Sequence, residues 1–341
     1  MAKNQAAFLD GEGSRLRVGE APMPQAETGR IVIRNRFLAV NPADWKVQDN
    51  GFFIRRYPIV LGEDVAGDVV DVGEGVTHVK KGDRVIAHLD NLATQKVQHG
   101  GFALYCSAPA VTVATIPSDI SYADASVLPT AFDTAAVGLY SPASEGFLGL
   151  PFPSANPPSS GKIIVVWGGS SSVGALAIQL AVASGVKVVA IAGGHNFDFC
   201  KKCGASEVIS YKKASVVDDV AAAVKSVGGA FTGVYDAVSL QDQSYKHVLP
   251  ILEKLGGGNL ATVLPVPDPK GVAINIKCGN ILCISPLTHP LWKDYVAKAL
   301  ESGQLKCLPE PAVIGKGLEC CQTGLDENKR GVSARKVIIE L

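Results

Sequence analysis

The stretch from residue 162 to residue 184, KIIVVWGGSSSVGALAIQLAVAS, constrains this chain more than any other. Ile163 to Trp167 is short, branched and continuously apolar, as in a strand buried on both faces. After a Gly/Ser turn the apolar residues take helical spacing: Val173, Leu176, Ala177, Leu180 and Ala181. Such a turn presents backbone N–H groups and the positive end of a helix to an anion. The sequence therefore predicts a diphosphate site on a parallel sheet.

The turn itself supplies the candidate ligands of that diphosphate. Gly168 and Gly169 let the backbone turn tightly beside a ligand, and Gly174 lets the helix pack close to the sheet. The fingerprint G-x-G-x-x-G would have another glycine where this chain has serine, so a glycine-rich turn without a ligand is an open alternative. The predicted phosphate-binding residues are Gly168, Gly169, Ser170, Ser171, Ser172, Val173 and Gly174.

The following region repeats the alternation of strand and helix. Four further apolar runs have the character of strands, with helical segments between them: Val186 to Ala192, Glu207 to Ser210, Val234 to Ser239 and Asn259 to Leu264. This alternation is typical of a parallel sheet covered by helices on both faces. The sequence therefore predicts a doubly wound sheet.

The end of the second strand indicates which nicotinamide cofactor is bound. An NAD site has an acidic side chain there for the ribose hydroxyls, whereas this chain has AGGHN at 192 to 196. An extra 2′-phosphate would meet no like charge, and His195, Asn196 and Tyr211 are predicted to bind the cofactor beside it. NADPH is therefore expected rather than NADH. The alternative is an ordinary solvated helix start with lysines on its surface.

Composition bounds the class of protein. The chain has 341 residues, of which 47% are hydrophobic, and this length allows two domains with real interiors. It has 32 basic and 32 acidic side chains, so no basic field for nucleic acid or anionic lipid is expected. No apolar run is long enough for a bilayer, and the first residues lack the apolar core of a signal peptide. We therefore expect a globular cytoplasmic protein with no membrane partner.

The cysteines do not indicate a disulfide framework. The eight are scattered along the chain, and most are expected to be small buried apolar side chains. Cys200 and Cys203 have C-x-x-C spacing, but they fall in a predicted helix and no second pair follows at finger spacing. A zinc or redox role for this pair is therefore not expected.

The N-terminal part of the chain has a different sequence pattern. Short β-rich runs such as Arg30 to Val40 and Val65 to Val72 predict a compact, twisted β domain. The segments LGEDVAGDVVDVGEGVTHVKKGDRVIAH at 61–88, NPADWK at 41–46 and VLPTAFDTA at 127–135 resemble the signature of the medium-chain dehydrogenase/reductase superfamily. With the nucleotide turn, the resemblance covers nearly the whole chain.

The resemblance implies an α/β fold in two domains. Residues 1–128, completed by about 286–341, would form a GroES-like β-barrel catalytic domain, and residues 129–285 a Rossmann NADPH-binding domain with a doubly wound parallel sheet. Hydride transfer is expected between the two. Lys329 to Leu341, KRGVSARKVIIEL, is predicted to form a charged turn and a closing strand.

Ser141 to Gly161 interrupts this pattern. The segment is too rich in proline, serine and glycine for a regular element, so a long loop is predicted. Its Phe147 and Phe152 either cover a bulky apolar acceptor or belong to a plain surface excursion.

Zinc-dependent members of the superfamily hold their catalytic metal through Cys, His and Cys. By alignment with those motifs, Asn41, Glu63 and Thr130 stand at the three positions. Zn²⁺ prefers thiolate and imidazole to amide and hydroxyl ligands. The four-cysteine lobe for structural zinc is also missing between Gly82 and Cys106. We therefore expect no metal.

The expected absence of a metal favours one class of reaction over another. Without a Lewis acid, an alkoxide is hard to form, which disfavours simple alcohol oxidation. Hydride addition to an enone, quinone or enoyl thioester leaves an enolate whose oxygen can be held by hydrogen bonds. The pieces DWK and HNFD are similar to fungal trans-acting enoyl reductases and their ToxD-like relatives, which with the quinone reductases are zinc-free members of the superfamily.

Four residues are candidates for the chemistry. Lys46, Thr130 and Tyr57 would serve the substrate oxygen and the proton steps, and Asn41 would help to shape the pocket. A partly desolvated lysine titrates near neutrality and donates a proton, but Lys46 is otherwise a surface residue or a partner of a nearby aspartate. Thr130 would alternatively bond the nicotinamide carboxamide, and Tyr57 would simply line the cleft.

The expected function is NADPH-dependent reduction of an activated C=C bond in a small apolar acceptor. One alternative is an NADPH-dependent carbonyl or alcohol oxidoreductase, and the other is a non-catalytic cofactor-binding or assembly-partner protein. A monomer or homodimer is expected, with a polyketide-synthase-type partner as an open possibility.

Overall fold

The computed structural model describes residues 3–266, 273 and 275–341. The chain divides into two compact units. The first unit consists of Met1–Thr130, His289–Glu301 and Cys307–Leu341. The second unit consists of Ala131–Thr288 and Ser302–Lys306. Among the described residues, no helix has the length and apolar content needed to cross a bilayer.

The elements are numbered in chain order. The strands are β1 (Asn4–Leu9), β2 (Arg17–Ala21), β3 (Arg30–Ala39), β4 (Ile59–Val60), β5 (Asp64–Val72), β6 (Arg84–His88), β7 (Tyr105–Pro109), β8 (Val113–Thr115), β9 (Lys162–Trp167), β10 (Lys187–Ala192), β11 (Glu207–Ser210), β12 (Ala230–Asp236), β13 (Gly258–Thr262), β14 (Ile276–Asn280), β15 (Glu310–Lys316) and β16 (Arg335–Glu340). The helices are α1 (Pro42–Asn50), α2 (Asn91–Thr94), α3 (Tyr122–Ala125), α4 (Pro129–Tyr140), α5 (Ser172–Ala183), α6 (Phe197–Lys202), α7 (Val216–Val227), α8 (Lys246–Lys254), α9 (His289–Leu291), α10 (Ala297–Glu301) and α11 (Cys320–Arg330).

The largest sheet of the first unit is built around β3. Its strand order is β15, β16, β3, β5, β6 and β8, and β7 also pairs with β3. The register sets Ala39 opposite both Asp64 and Ile338, and sets Asp64 opposite His88. Beyond the last β3 residue, the Val40 N–H still donates to the Val337 carbonyl at 2.9 Å. The end of β3 and the starts of β5 and β16 therefore meet at one edge of this sheet.

The second unit contains the predicted doubly wound sheet. Six parallel strands have the order β11, β10, β9, β12, β13, β14, which is the order of a dinucleotide-binding fold. The five strands expected from the apolar runs are all present with ends shifted by a few residues. The sixth, β14, was missed because Ile276–Asn280, IKCGN, has no continuous apolar run. The predicted closing strand near the C-terminus is confirmed by β16.

The segment from 141 to 161 is a long connection, as its composition predicts, with one short helical turn at Ala143–Glu145. Leu148 and Leu150 are buried. The Phe152 ring contacts the Tyr140 ring edge-on at 5.2 Å, and the Phe147 ring lies against Gly279. Both aromatic side chains therefore pack within their own unit.

Candidate functional site

A buried polar cluster lies at the sheet edge where β3, β5 and β16 meet. It consists of Asn41, Asp64, Thr130 and Lys336, and is called the Asp64 cluster below. Asp64 is fully buried, and the other three are at most 7% exposed. The strand register explains the convergence, because it places Asn41 beside both Asp64 on β5 and the start of β16.

Asp64 is the acceptor at the centre of this cluster. Its Oδ1 accepts from the Thr130 backbone N–H at 2.7 Å and from the Thr130 hydroxyl at 2.5 Å. Its Oδ2 accepts from Asn41 Nδ2 at 2.9 Å and lies 3.1 Å from the Lys336 ammonium. Four donors thus converge on one side chain, which acts as a carboxylate paired with a buried cation.

The hydrogen-bond directions in the cluster are fixed. The Lys336 ammonium donates to Asn41 Oδ1, so the amide N–H₂ of Asn41 faces Asp64 and also donates to Thr130 Oγ1 at 3.3 Å. The Thr130 hydroxyl donates its only proton to Asp64. Asn41 therefore directs N–H groups, not a lone pair, toward Thr130.

These contacts test whether the three residues at the zinc-ligand positions fit a zinc ion. The Asn41 oxygen is engaged by an ammonium, and its nitrogen points at the Thr130 oxygen. A metal ion requires lone pairs directed at it and is repelled by a cation. Asn41 and Thr130 do not fit zinc. Glu63, at the third position, has its carboxylate within 4.8 Å of a ring nitrogen of His88.

Two further buried carboxyl groups lie in the same neighbourhood. Asp44 accepts from the Asn41 N–H at 2.8 Å and from the Gly62 N–H at 3.0 Å, so it fastens the start of α1 to the chain before β5. Burial and the charge of Glu63 raise the pKa of Asp44 to about 8. Because Asp44 holds two backbone N–H groups, its role is structural.

Burial also raises the pKa of Glu63, while His88 and Lys336 oppose that shift.

Lys46 lies on α1 and is half buried. Its ammonium is 5.6 Å from the centre of the Trp45 ring, and the Lys329 ammonium lies at the same distance from that ring. Within the described contacts, Lys46 has no aspartate partner: Asp44 accepts backbone N–H groups, and Asp49 pairs with Lys329 at 2.7 Å. Burial lowers the pKa of Lys46. The structure thus provides a partly desolvated amine.

Tyr57 precedes the cis peptide at Pro58 and is 37% exposed. Its hydroxyl and the Glu12 carboxylate converge beside Gly51, where an added Cβ would lie 3.2 Å and 2.9 Å from them. Burial, with a contribution from Glu12, raises the pKa of Tyr57. Within the described contacts, none joins Tyr57 to the Asp64 cluster.

The second unit carries the predicted phosphate turn between β9 and α5. Gly168 has φ +75°, which favours glycine, and the Gly168 and Gly169 N–H groups both donate to the Ile191 carbonyl at 3.0 Å. The Ser171 hydroxyl caps α5 by accepting from the Gly174 N–H at 3.0 Å. Within the described contacts, the N–H groups that keep no intramolecular acceptor are those of Ser170, Ser172 and Val173. The two glycines thus set the backbone conformation of the turn. The N–H groups of Ser170, Ser172 and Val173 are the donors that the turn can offer to a phosphate.

The loop after β10 holds the residues predicted to lie beside the adenosine ribose. Asn196 is buried and donates from Nδ2 to Ser170 Oγ at 3.0 Å, which ties this loop to the phosphate turn. A Cβ on Gly193 would lie 3.0 Å from the His195 ring and 3.6 Å from the Tyr211 ring. His195, Asn196 and Tyr211 are therefore gathered around one short segment.

The C-x-x-C pair lies at the end of α6 with both thiols buried. Cys200 and Cys203 are free and buried. Burial raises the pKa of each thiol to about 12, which disfavours the thiolate needed for redox chemistry or metal binding.

Comparison with known proteins identifies the family. Residues 27–118 match the model of the alcohol dehydrogenase GroES-like domain, and residues 172–263 match that of zinc-binding dehydrogenase. Dehydrogenase orsE of Emericella nidulans is 46% identical, with 100% of both chains covered. Trans-enoyl reductase himH of Aspergillus japonicus is 40% identical, covering 99% of this chain and 97% of its own. The chain belongs to the medium-chain dehydrogenase/reductase superfamily.

Within this superfamily, the relatives place the chain in the branch of fungal enoyl reductases. Solved structures share the fold. Mycobacterial Rv1454c complexed with NADPH has a TM-score of 0.71 at 24% identity, with 99% and 100% of the two chains covered. A putative zinc-dependent alcohol dehydrogenase from Rhizobium etli has a TM-score of 0.78 at 21% identity, with 100% and 99% covered. By its family membership, the chain is an NAD(P)-dependent oxidoreductase of the medium-chain superfamily.

Sequence reasoning missed Lys336 and the central role of Asp64. The available signal was a single lysine inside the apolar closing strand, RKVIIE, where a buried charge is unexpected. Its partner could not be read from the chain, because residues 64 and 336 meet only through the register of β3 with two strands.

Proposed function

We propose that this protein is an NADPH-dependent reductase that transfers hydride to an activated C=C bond without zinc. The observation that carries the proposal is the direction of hydrogen bonds in the Asp64 cluster. Asn41 and Thr130, which stand at two zinc-ligand positions, are both committed to Asp64, and a buried ammonium lies beside them. A reaction that needs no metal-bound alkoxide is therefore favoured.

The charge that develops during reduction determines which groups the protein must provide. NADPH, when bound, would supply the hydride. When hydride adds to the β-carbon of an enone or enoyl thioester, the π electrons move onto the carbonyl oxygen, and the enolate then takes up one proton. The protein must therefore provide a hydrogen-bond donor for that oxygen and a source of one proton.

Lys46 is the donor that we propose for this step. Its amine is partly desolvated, and its pKa is lowered by burial. A donor with a pKa closer to the working pH transfers protons more effectively. Thr130 is less suited to donate, because its hydroxyl proton is held by Asp64, so it would accept from an amide N–H such as the nicotinamide carboxamide. We propose that Asn41 helps to shape the pocket and that Tyr57 lines it.

A substrate panel tests this proposal on the wild-type protein. After treatment with a chelator, we expect NADPH-dependent reduction of enones and enoyl thioesters and no reduction of matched saturated ketones. Loss of activity on chelation, restored by added zinc, would overturn zinc independence. Reduction of the ketones alone would indicate a carbonyl reductase. Tight NADPH binding without turnover on either set would indicate a binding protein.

The preference for NADPH is proposed from the loop after β10, which has no acidic side chain between 192 and 196. Gly194 offers a direct test, since an added Cβ meets no atom within 4 Å and its φ is not positive. Gly194→Asp is expected to reduce the preference for NADPH over NADH by about tenfold or more, because a carboxylate repels the 2′-phosphate. The ratio of kcat/KM for the two cofactors measures this.

The matched control is Gly194→Asn, which has nearly the same shape without the charge and is expected to keep the wild-type preference. An equal shift in both variants would mean that the loop's conformation, not its charge, decides the cofactor.

A further inference from the structure

Lys336 is a buried cation next to the three core residues of β16. It is 3% exposed, and the next three residues of β16 are fully or almost fully buried. Moving an ammonium out of water costs several kcal/mol unless a partner and hydrogen bonds compensate it. An apolar side chain at this position would pack without that cost, whereas the ammonium makes polar contacts that an apolar side chain cannot make.

The contacts of Lys336 show what the charge controls. The ammonium donates to Asn41 Oδ1 and lies 3.1 Å from Asp64 Oδ2. The first contact determines which way the Asn41 amide faces, because only its oxygen can accept from an ammonium. The second contact balances the charge of Asp64, which also interacts electrostatically with two further buried carboxyl groups, Glu63 and Asp44.

Asn41 and Asp64, the two side chains that Lys336 contacts, both contact Thr130. Asn41 Nδ2 donates to Thr130 Oγ1 at 3.3 Å, and Asp64 Oδ1 accepts the Thr130 hydroxyl at 2.5 Å. The Thr130 hydroxyl proton is thus directed at Asp64, so its oxygen can act toward other groups only as an acceptor. Without the ammonium, Asn41 Oδ1 would lose its donor, and Asp64 would be a buried carboxylate without its cation. Both side chains that contact the Thr130 hydroxyl would then lose a contact that holds them in place, and the hydroxyl would be positioned less firmly.

We propose that Lys336 is a positioning residue, which acts through Asn41 and Asp64 to hold the Thr130 hydroxyl as a fixed hydrogen-bond acceptor in the reductase site. This inference rests on the proposed function for its kinetic readout. The inference goes beyond the proposed function, because it assigns Lys336 of the last strand to the site and names Thr130 as the residue that Lys336 positions.

A double-mutant cycle with a conservative rescue tests the proposal. We would measure kcat, KM and the melting temperature for the wild type, Lys336→Met, Lys336→Arg, Thr130→Val and the Met/Val double variant, well below every melting temperature. Lys336→Met is expected to lower kcat by about tenfold or more, and Lys336→Arg to recover most of that loss. The double variant is expected to be no slower than the worse single variant, since both changes remove the same arrangement.

Three results would overturn the inference: multiplicative losses in the double variant, wild-type kcat in Lys336→Met, or an arginine variant as slow as the methionine variant. If Lys336→Met does not fold, Lys336→Gln replaces it, because glutamine keeps a donor and loses the charge. If the wild type reduces none of the panel, the proposed function fails alone, and NADPH dissociation constants replace kcat in the cycle.

Discussion

Lys46→Met is expected to lower kcat by about 10²- to 10⁴-fold, with little change in the free energy of unfolding. Methionine keeps a long, unbranched side chain over the Trp45 ring but cannot donate a proton. Because burial lowers the pKa of Lys46, the wild-type kcat should fall as the pH rises through that lowered pKa, where the amine loses its proton. This basic limb should be absent from the variant. Steady-state pH profiles of both proteins measure it.

Lys329→Met is the matched control for Lys46. The Lys329 ammonium is also 5.6 Å from the Trp45 ring, but it is exposed and paired with Asp49. Its removal should change kcat by less than about threefold, because an exposed ion pair contributes little. Similar losses in both variants would show that the Trp45 contact, and not the Lys46 proton, supports activity.

Gly174→Ala is expected to weaken NADPH binding by about 100-fold or more and to destabilise the protein by about 1–3 kcal/mol. An added Cβ would lie 2.2 Å from the Gly168 carbonyl oxygen and 2.8 Å from its carbon. These are backbone atoms of the phosphate turn, so the turn must move. Alanine would otherwise favour α5 by about 1 kcal/mol, which makes the sign of the effect diagnostic. Cofactor titration and thermal unfolding measure both quantities.

Gly194→Ala is the control for that substitution, since its Cβ meets no atom within 4 Å. It should bind NADPH as the wild type does. Unchanged binding in Gly174→Ala would mean that the phosphate turn is not the cofactor site.

The elements that the sequence predicted well are those whose signal is local. Ile163 to Trp167 and the stripe on α5 are neighbours in the chain, and burial on both faces leaves a continuous apolar run. In contrast, β14 is short and carries Lys277 and Asn280, so its place in the sheet comes from pairing with β13. Local propensity contains no such information.

The site divides in the same way. Asn41, Glu63 and Thr130 were found because each belongs to a short motif with a known alignment. The directions of their hydrogen bonds were not predictable, because a sequence does not say that the Thr130 hydroxyl faces Asp64 or that the Asn41 oxygen faces Lys336. Because the Thr130 hydroxyl proton faces Asp64, we propose an acceptor role for Thr130 in place of a donor role.

Residues close together in the chain were enough to predict the alternation of strand and helix, the glycine-rich turn, and the absence of thiolate and imidazole at the positions aligned with zinc ligands. The charge beside those positions could be found only in the folded chain. Asp64 and Lys336 are brought within 3.1 Å by strands that pair on opposite sides of β3, and pairing register is a property of the folded sheet.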